Sequence, residues 1–230
     1  MNASYSVSRI LILTIILFAN FLISPFSIAQ TNDQSVKAKK ILDEVSTKTK
    51  KYSSINAHFS FTIESKEKKI SEQQEGDIWV KGNKYKLALK NQTVFSDGQT
   101  VWTFLKDANE VQINSADQKE DEDKITPNNI FTIYEKGFKY EFVKEEKKGN
   151  VITQIINLFP LEPKKKSYHT AVVYVDKNKK QINKMIIKGK DGNTSTYSVR
   201  NFKTNENLSD EIFVFNKANY PKVETVDLRE

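Results

Sequence analysis

Two periodicities divide the chain. Val36, Ile41, Leu42, Val45, Thr49 and Tyr52 recur at helical spacing, with Lys37, Lys39, Lys40, Asp43, Glu44, Lys48 and Lys50 between them. That pattern predicts an amphipathic helix with one apolar stripe. From Ala57 the period shortens to two. Ala57, Phe59, Phe61 and Ile63 alternate with polar neighbours, as do Tyr85, Leu87 and Leu89, then Val111 and Ile113, then Tyr140 and Phe142. These are half-buried antiparallel strands. Turn triplets such as Lys81-Gly82-Asn83, Ser96-Asp97-Gly98, Lys148-Gly149-Asn150 and Asp191-Gly192-Asn193 punctuate them at hairpin spacing. About eleven strands follow, near residues 57–66, 73–81, 84–90, 92–96, 100–106, 109–114, 139–147, 150–159, 167–176, 180–189 and 194–204. Successive hairpins without long intervening helices form a meander, and so wide a sheet must curl or close to manage its edges.

Two stretches interrupt the rhythm. Thr126 as N-cap, Pro127 at the first helical position and Gly137 beyond the end define a short helix, apolar for its length through Ile130, Phe131, Ile133 and Tyr134. Leu208 to Phe213 predicts one helical turn. Ahead of the helix, Arg9 precedes the apolar run Ile10 to Ala19, which continues less purely to Ile28 and ends in the small-x-small pattern Ser27-Ile28-Ala29. This reads as a signal peptide over residues 1–29 cleaved near Ala29, leaving residues 30–230 as one exported domain. An uncleaved anchor helix is the competing reading, since the run approaches the roughly 20 residues a bilayer needs; Asn20 and Pro25 speak against it.

Composition narrows the chemistry. With no Cys there is no disulfide framework, thiolate metal site, catalytic thiol or lipidated Cys. The two His, His58 and His169, stand alone in strands and read as ordinary strand residues. The acidic run Glu120 to Asp123 lacks the spacing and turn glycine of a calcium loop and reads as solvated. A net charge of +7 is spread along the chain, with no phosphate-binding glycine loop, so no nucleic-acid partner is expected. Lys164-Lys165-Lys166 reads as a solvated loop or, alternatively, a contact for an anionic partner. Neither enzyme activity nor a metal or cofactor is expected; an envelope hydrolase would need a nucleophile and base that no motif supplies.

The abundant chemistry is apolar: 14 Phe, 9 Tyr and 2 Trp. A single curved sheet covered by an amphipathic helix has room for an interior that holds acyl chains, although the same residues would equally fill a closed core.

Ordered segments carry a resemblance. Ser53-Ser54-Ile55-Asn56-Ala57-His58-Phe59, Gln74-Glu75-Gly76-Asp77-Ile78-Trp79-Val80-Lys81, Tyr85-Lys86-Leu87, Phe95-Ser96-Asp97-Gly98-Gln99-Thr100-Val101-Trp102-Thr103-Phe104, Glu110-Val111-Gln112 and Thr126-Pro127-Asn128-Asn129-Ile130-Phe131 resemble, in sequence order, the LolA family of periplasmic outer-membrane lipoprotein carriers. The resemblance spans residues 36–215 and implies a mainly β (α+β) fold: an incomplete antiparallel barrel of about eleven strands with helices covering its mouth as a lid. It implies a soluble, monomeric periplasmic carrier that takes acylated lipoproteins from an inner-membrane ABC release transporter and delivers them to an outer-membrane acceptor or to the membrane itself. A periplasmic binding protein for another lipid or amphiphile is the alternative. The expected cavity lining is Phe59, Phe61, Ile63, Tyr85, Leu87, Leu89, Trp102 and Phe104, with lid residues Ile41, Val45, Ile130, Phe131 and Tyr134. One departure stands out: family members commonly carry Arg-Pro after the Trp-Val-Lys stretch, the Arg latching the lid, whereas here Lys81 is followed by Gly82-Asn83. Lys lacks the guanidinium fork, so the latch is expected to be different or weaker, with a lid that closes by apolar contact of Ile130, Phe131 and Tyr134 with the first helix and strands.

Overall fold

In the computed structural model, which describes residues 26–65, 67, 70–116 and 132–229, the alternating segments pair into one twelve-stranded sheet. Helix α1 (Phe26–Thr49) precedes β1 (Ile55–Ser65), β2 (Ile70–Lys81), β3 (Lys84–Leu89), β4 (Gln92–Ser96), β5 (Thr100–Leu105) and β6 (Glu110–Ser115). Then come β7 (Phe138–Lys148), β8 (Val151–Pro160), β9 (Tyr168–Asp176), β10 (Gln181–Gly189), β11 (Asn193–Thr204) and β12 (Glu224–Asp227). The order across the sheet is β12-β6-β5-β4-β3-β2-β1-β11-β10-β9-β8-β7. Two meanders therefore join where β1 pairs with β11, and the sheet stays open between β7 and β12, as an incomplete barrel does. Eleven strands fall where the alternation places them. The twelfth, β12, runs parallel to β6, with Glu224 N–H donating to Asn109 O at 3.0 Å and Leu228 N–H to Ile113 O at 2.8 Å.

The two faces of the sheet carry separate apolar clusters, and register assigns them. Antiparallel partners directly opposite one another share a face. One row runs Phe61, Tyr197, Met185, Val173, Ile156, Phe142; the next runs Ile63, Ser195, Ile187, Ala171, Leu158, Tyr140. This inner face packs against α1 through Ala38, Leu42 and Val45 and forms the main core. On the outer face Phe95, Phe104 and Val111, with Trp102 beside them, are covered by Phe215, Tyr220 and Val223 of the C-terminal segment.

Three details correct the expected helices. Val36 is 61 % exposed, off the stripe that Ala38, Leu42 and Val45 define. α1 begins at Phe26, so Ala29 lies within its first turn. Of the short helix expected over residues 126–137, the structure describes a single 3-10 turn, Ile133–Glu135; Ile130 and Phe131 lie outside the described residues. The turn expected at 208–213 is present as a 3-10 helix, Asp210–Phe213, in which Ser209 caps the Glu211 N–H.

β2 and β3 approach closely at Gly76. A Cβ there would stand 2.2 Å from the Ala88 carbonyl oxygen, which is backbone and cannot swing away. Gly76→Ala must part the two strands, and an overpacking cost of about 1–3 kcal/mol is expected, read as a lower urea midpoint at unchanged slope.

Candidate functional site: an apolar concave face

The inner face has two halves. Over β7 to β10 it is sealed by α1, which is clamped at several points. Lys37 Nζ lies 3.5 Å from the Phe142 ring centroid, Lys180 Nζ 3.0 Å from Glu44 Oε2, and Lys48 Nζ donates to Lys179 O at 2.6 Å. The last turns of α1 also hold Glu135, which accepts from Ser46 Oγ at 2.7 Å and pairs with Lys50 Nζ at 2.6 Å. The segment preceding β7 is thereby fixed to the helix.

Over β1 to β5 the same face continues as an apolar strip that stays half-buried among the described residues. Phe59, Phe61 and Ile63 of β1 are partly exposed, as are Leu87 and Leu89 of β3. Register places Leu89 across Gly76 from Phe59 and Leu87 beside Val94, while Ala57 and Ile78 on the same face are buried and the exposed Gln74 and Glu72 stand opposite Phe61 and Ile63. Phe61 meets Tyr197 with ring centroids 4.6 Å apart, linking strip to core. Burial pushes the Tyr197 phenol above its ordinary value, so it stays neutral there. A half-exposed apolar face with its charge at the rim, Glu72 opposite Ile63, suits flexible hydrocarbon, which needs area rather than directed hydrogen bonds.

The expected lining residues separate into groups. Phe59, Phe61, Ile63, Leu87 and Leu89 lie together on the strip, with Tyr85 buried on the same face beside Val80. Ile41 is partly buried at the edge of the main core, whereas Val45 and Tyr134, 2 % and 0 % exposed, are packed inside it and line no open surface. Trp102 and Phe104 must be corrected: they oppose Phe95 and Thr93, which oppose Lys86 and Ala88, so they sit on the outer face. The physical reason is that β5 is apolar at both parities, Val101-Trp102-Thr103-Phe104-Leu105, and the C-terminal aromatics bury the larger set. Ile78, Val94, Val199 and Tyr197 belong to the inner face but were not among the expected lining. Following cross-strand partners outward from Phe61 and Leu87 would have found them, once the register was known.

Lys81 does not face a lid. Its Nζ donates to Leu208 O at 2.8 Å and pairs with Asp210 Oδ1 at 2.8 Å, while Lys84 pairs with Asp210 Oδ2 at 2.7 Å. The two lysines at the β2–β3 turn therefore fasten the C-terminal segment. Their hydrogen bonds, Lys81 first, hold the Asp210 carboxyl at about 2 against an ordinary 3.8. A carboxyl depressed by folding stabilises above its unfolded value and loses that effect as pH falls through its folded value. The stabilising effect of Asp210 is thus expected to fade between about pH 4 and pH 2. Asp210→Asn should flatten that part of a urea-midpoint-versus-pH curve and leave the curve's shape unchanged above pH 5.

The comparisons agree with this architecture. The family model for the outer membrane lipoprotein carrier protein LolA matches residues 50–216. The chain belongs to the LolA family. Members of this family are periplasmic carriers that bind lipoproteins. Among solved structures, an uncharacterized conserved protein from Thermus thermophilus is similar at 11 % identity and a TM-score of 0.54, covering 83 % of this chain and 99 % of its own. The Mycobacterium tuberculosis lipoprotein LppX is similar at 14 % identity and a TM-score of 0.50, covering 76 % and 98 %. A putative outer membrane lipoprotein-sorting protein domain from Vibrio parahaemolyticus is 12 % identical with a TM-score of 0.44, covering 81 % and 99 %. At these identities the two likenesses with TM-scores of 0.54 and 0.50 speak to fold alone. No curated protein sequence matches the chain. No helix among the described residues is long and apolar enough to cross a membrane.

Proposed function

We propose that this protein is a periplasmic carrier that shields the acyl chains of lipoproteins on its concave face and moves them from the inner to the outer membrane. The observation that carries the reading is the half-exposed strip of Phe59, Phe61, Ile63, Leu87 and Leu89, continuous with the core beneath α1. Burying each methylene is worth roughly 0.8 kcal/mol, so acyl chains left in water are prohibitive and even a shallow apolar face captures them. A face without directed polar contacts also lets them go when a better apolar surface is offered, which is what delivery requires.

On this reading residues 1–29 are the export signal, the donor is an inner-membrane ABC release transporter, and the acceptor is an outer-membrane protein or the membrane. A binding protein for another amphiphile is the second reading, and one observation favours it: Lys81, beside the position of the family's latch Arg, is engaged with Asp210 and the C-terminal segment. Native mass spectrometry of the protein isolated from the periplasm without detergent separates the two. A bound acylated lipoprotein that transfers to outer-membrane vesicles is the expected result; a free lipid alone establishes the second reading.

A further inference from the structure

A second, polar surface lies on the outer face, opposite the apolar strip, where β2, β1, β11 and β10 run side by side. Register sets six side chains in two rows on this face: Trp79, Asn56, Lys203 and Asp77, His58, Arg200. They line a cleft of about 820 Å³, to which Gln181 and Asn183 of β10 add two more amides. Irregular backbone shapes it: the β1–β11 register shifts between Asn56 and His58, Asn201 takes a left-handed φ of 50°, and the β10–β9 register shifts between Ile182 and Lys184. Bulges of this kind re-aim side chains and recur beside binding sites.

Part of the lining has structural partners: Asn56 Nδ2 donates to Glu206 Oε2 at 2.9 Å, and His58 lies between Asp77 and Glu75; Arg200 and the Trp79 indole N–H do not. Arg200 is exposed and makes no hydrogen bond or ion pair among the described residues, and the Trp79 indole N–H likewise finds no protein acceptor among them. Asp77 is the sole carboxylate of the lining, and its Oδ1 already lies 3.0 Å from His58 Nδ1. Counting the adjoining Glu75, 3.8 Å from His58 Nε2, and Glu206, 4.0 Å from Lys203 Nζ, three carboxylates balance Arg200, Lys203 and Lys179, and the Arg200 guanidinium is a cation left without a partner among the described residues. An unpaired guanidinium takes a carboxylate or phosphate through two parallel hydrogen bonds. Amides that both donate and accept suit neighbouring hydroxyls. A half-exposed indole gives an apolar surface with a polar edge, suited to the C–H face of a ring.

We propose that this cleft binds a sugar bearing an acidic group. A bare anion would use Arg200 and leave the amides and the indole idle; a neutral sugar would leave the guanidinium idle. The lactyl carboxylate of a cell-wall muramic acid and the phosphate of a phosphorylated oligosaccharide core offer the same chemistry, and two probes separate them. The proposal is independent of the carrier reading, because the cleft and the apolar strip lie on opposite faces.

The test uses Trp79 as reporter. The chain has two Trp, so Trp102→Phe leaves Trp79 as its single indole. Titrating that variant with N-acetylmuramic acid and with glucose 6-phosphate should change Trp79 emission saturably for at least one. N-acetylglucosamine should bind about tenfold or more weakly, and inorganic phosphate should leave the emission unchanged. Arg200→Ala should weaken the acidic sugar about tenfold, as expected for loss of a charge-assisted pair, while uptake of a fluorescent fatty acid stays unchanged. If Arg200→Ala fails to fold, Arg200→Lys provides the comparison, with calorimetry on Trp79→Phe as the second readout. No response to either acidic sugar, a response reproduced by phosphate alone, or equal affinity in the Arg200 variant would overturn the proposal.

Discussion

Leu87→Glu is expected to reduce uptake of an apolar fluorescent probe by about a hundredfold or more while the protein stays folded. Leu87 sits mid-strip between Ile78 and Val94 and is half-buried, so the free protein can hydrate a carboxylate there. An acyl chain laid across the face removes that water, and stripping an unpaired charge costs several kcal/mol. At 1.4 kcal/mol per tenfold, two decades of affinity is a modest estimate. Thr62→Glu is the matched control: Thr62 alternates with Phe61 and Ile63, hence faces outward, and should leave uptake unchanged. Probe titration with circular dichroism on the same samples reads both outcomes. Equal uptake by wild type and Leu87→Glu would mean that hydrocarbon binds elsewhere.

Phe213→Ala should give the largest loss of stability, about 3–5 kcal/mol, because the ring is fully buried where the C-terminal segment meets β3 and β4. The neighbouring ties are exposed: Asp210 and the two lysines sit in solvent-accessible positions, where ion pairs contribute little. Phe213 is therefore the pin and the ion pairs its guide. Urea unfolding measures the cost. Uptake per folded molecule should be unchanged, since Phe213 is fully buried and offers no surface to the probe; a folded Phe213→Ala protein that no longer takes up probe would show that the packing of the C-terminal segment is part of the site.

The strands were readable wherever one face is apolar and the other polar. Phe59, Phe61 and Ile63 against His58, Ser60 and Thr62 leave one choice of period, and the hairpin turns fix the order. β5 was readable as a strand but not as to face, because Val101, Trp102, Phe104 and Leu105 offer apolar side chains to both sides. Which side closes depends on Phe215, Tyr220 and Val223, more than a hundred residues away, and no local pattern reports so distant a partner. β12 was illegible for a related reason: Glu224-Thr225-Val226-Asp227 has a single apolar residue and becomes a strand only because β6 presents a free edge. The stripe of α1 was placed correctly at Leu42 and Val45 and wrongly at Val36, whose place in the core Ala38 takes. The apolar strip was legible as residues and not as a surface, since its continuity through Ile78, Val94 and Val199 is a property of register.

The central claim is that acyl chains lie on the concave face of β1 to β5. The most direct measurement is photocrosslinking with a lipopeptide whose acyl chain carries a diazirine, followed by peptide mapping of the labelled residues. Labels are expected on Phe59, Phe61, Ile63, Leu87 and Leu89 and none on Phe95, Trp102 or Phe104. Labels confined to the outer aromatic cluster, or an unlabelled protein at saturating lipopeptide, would contradict it.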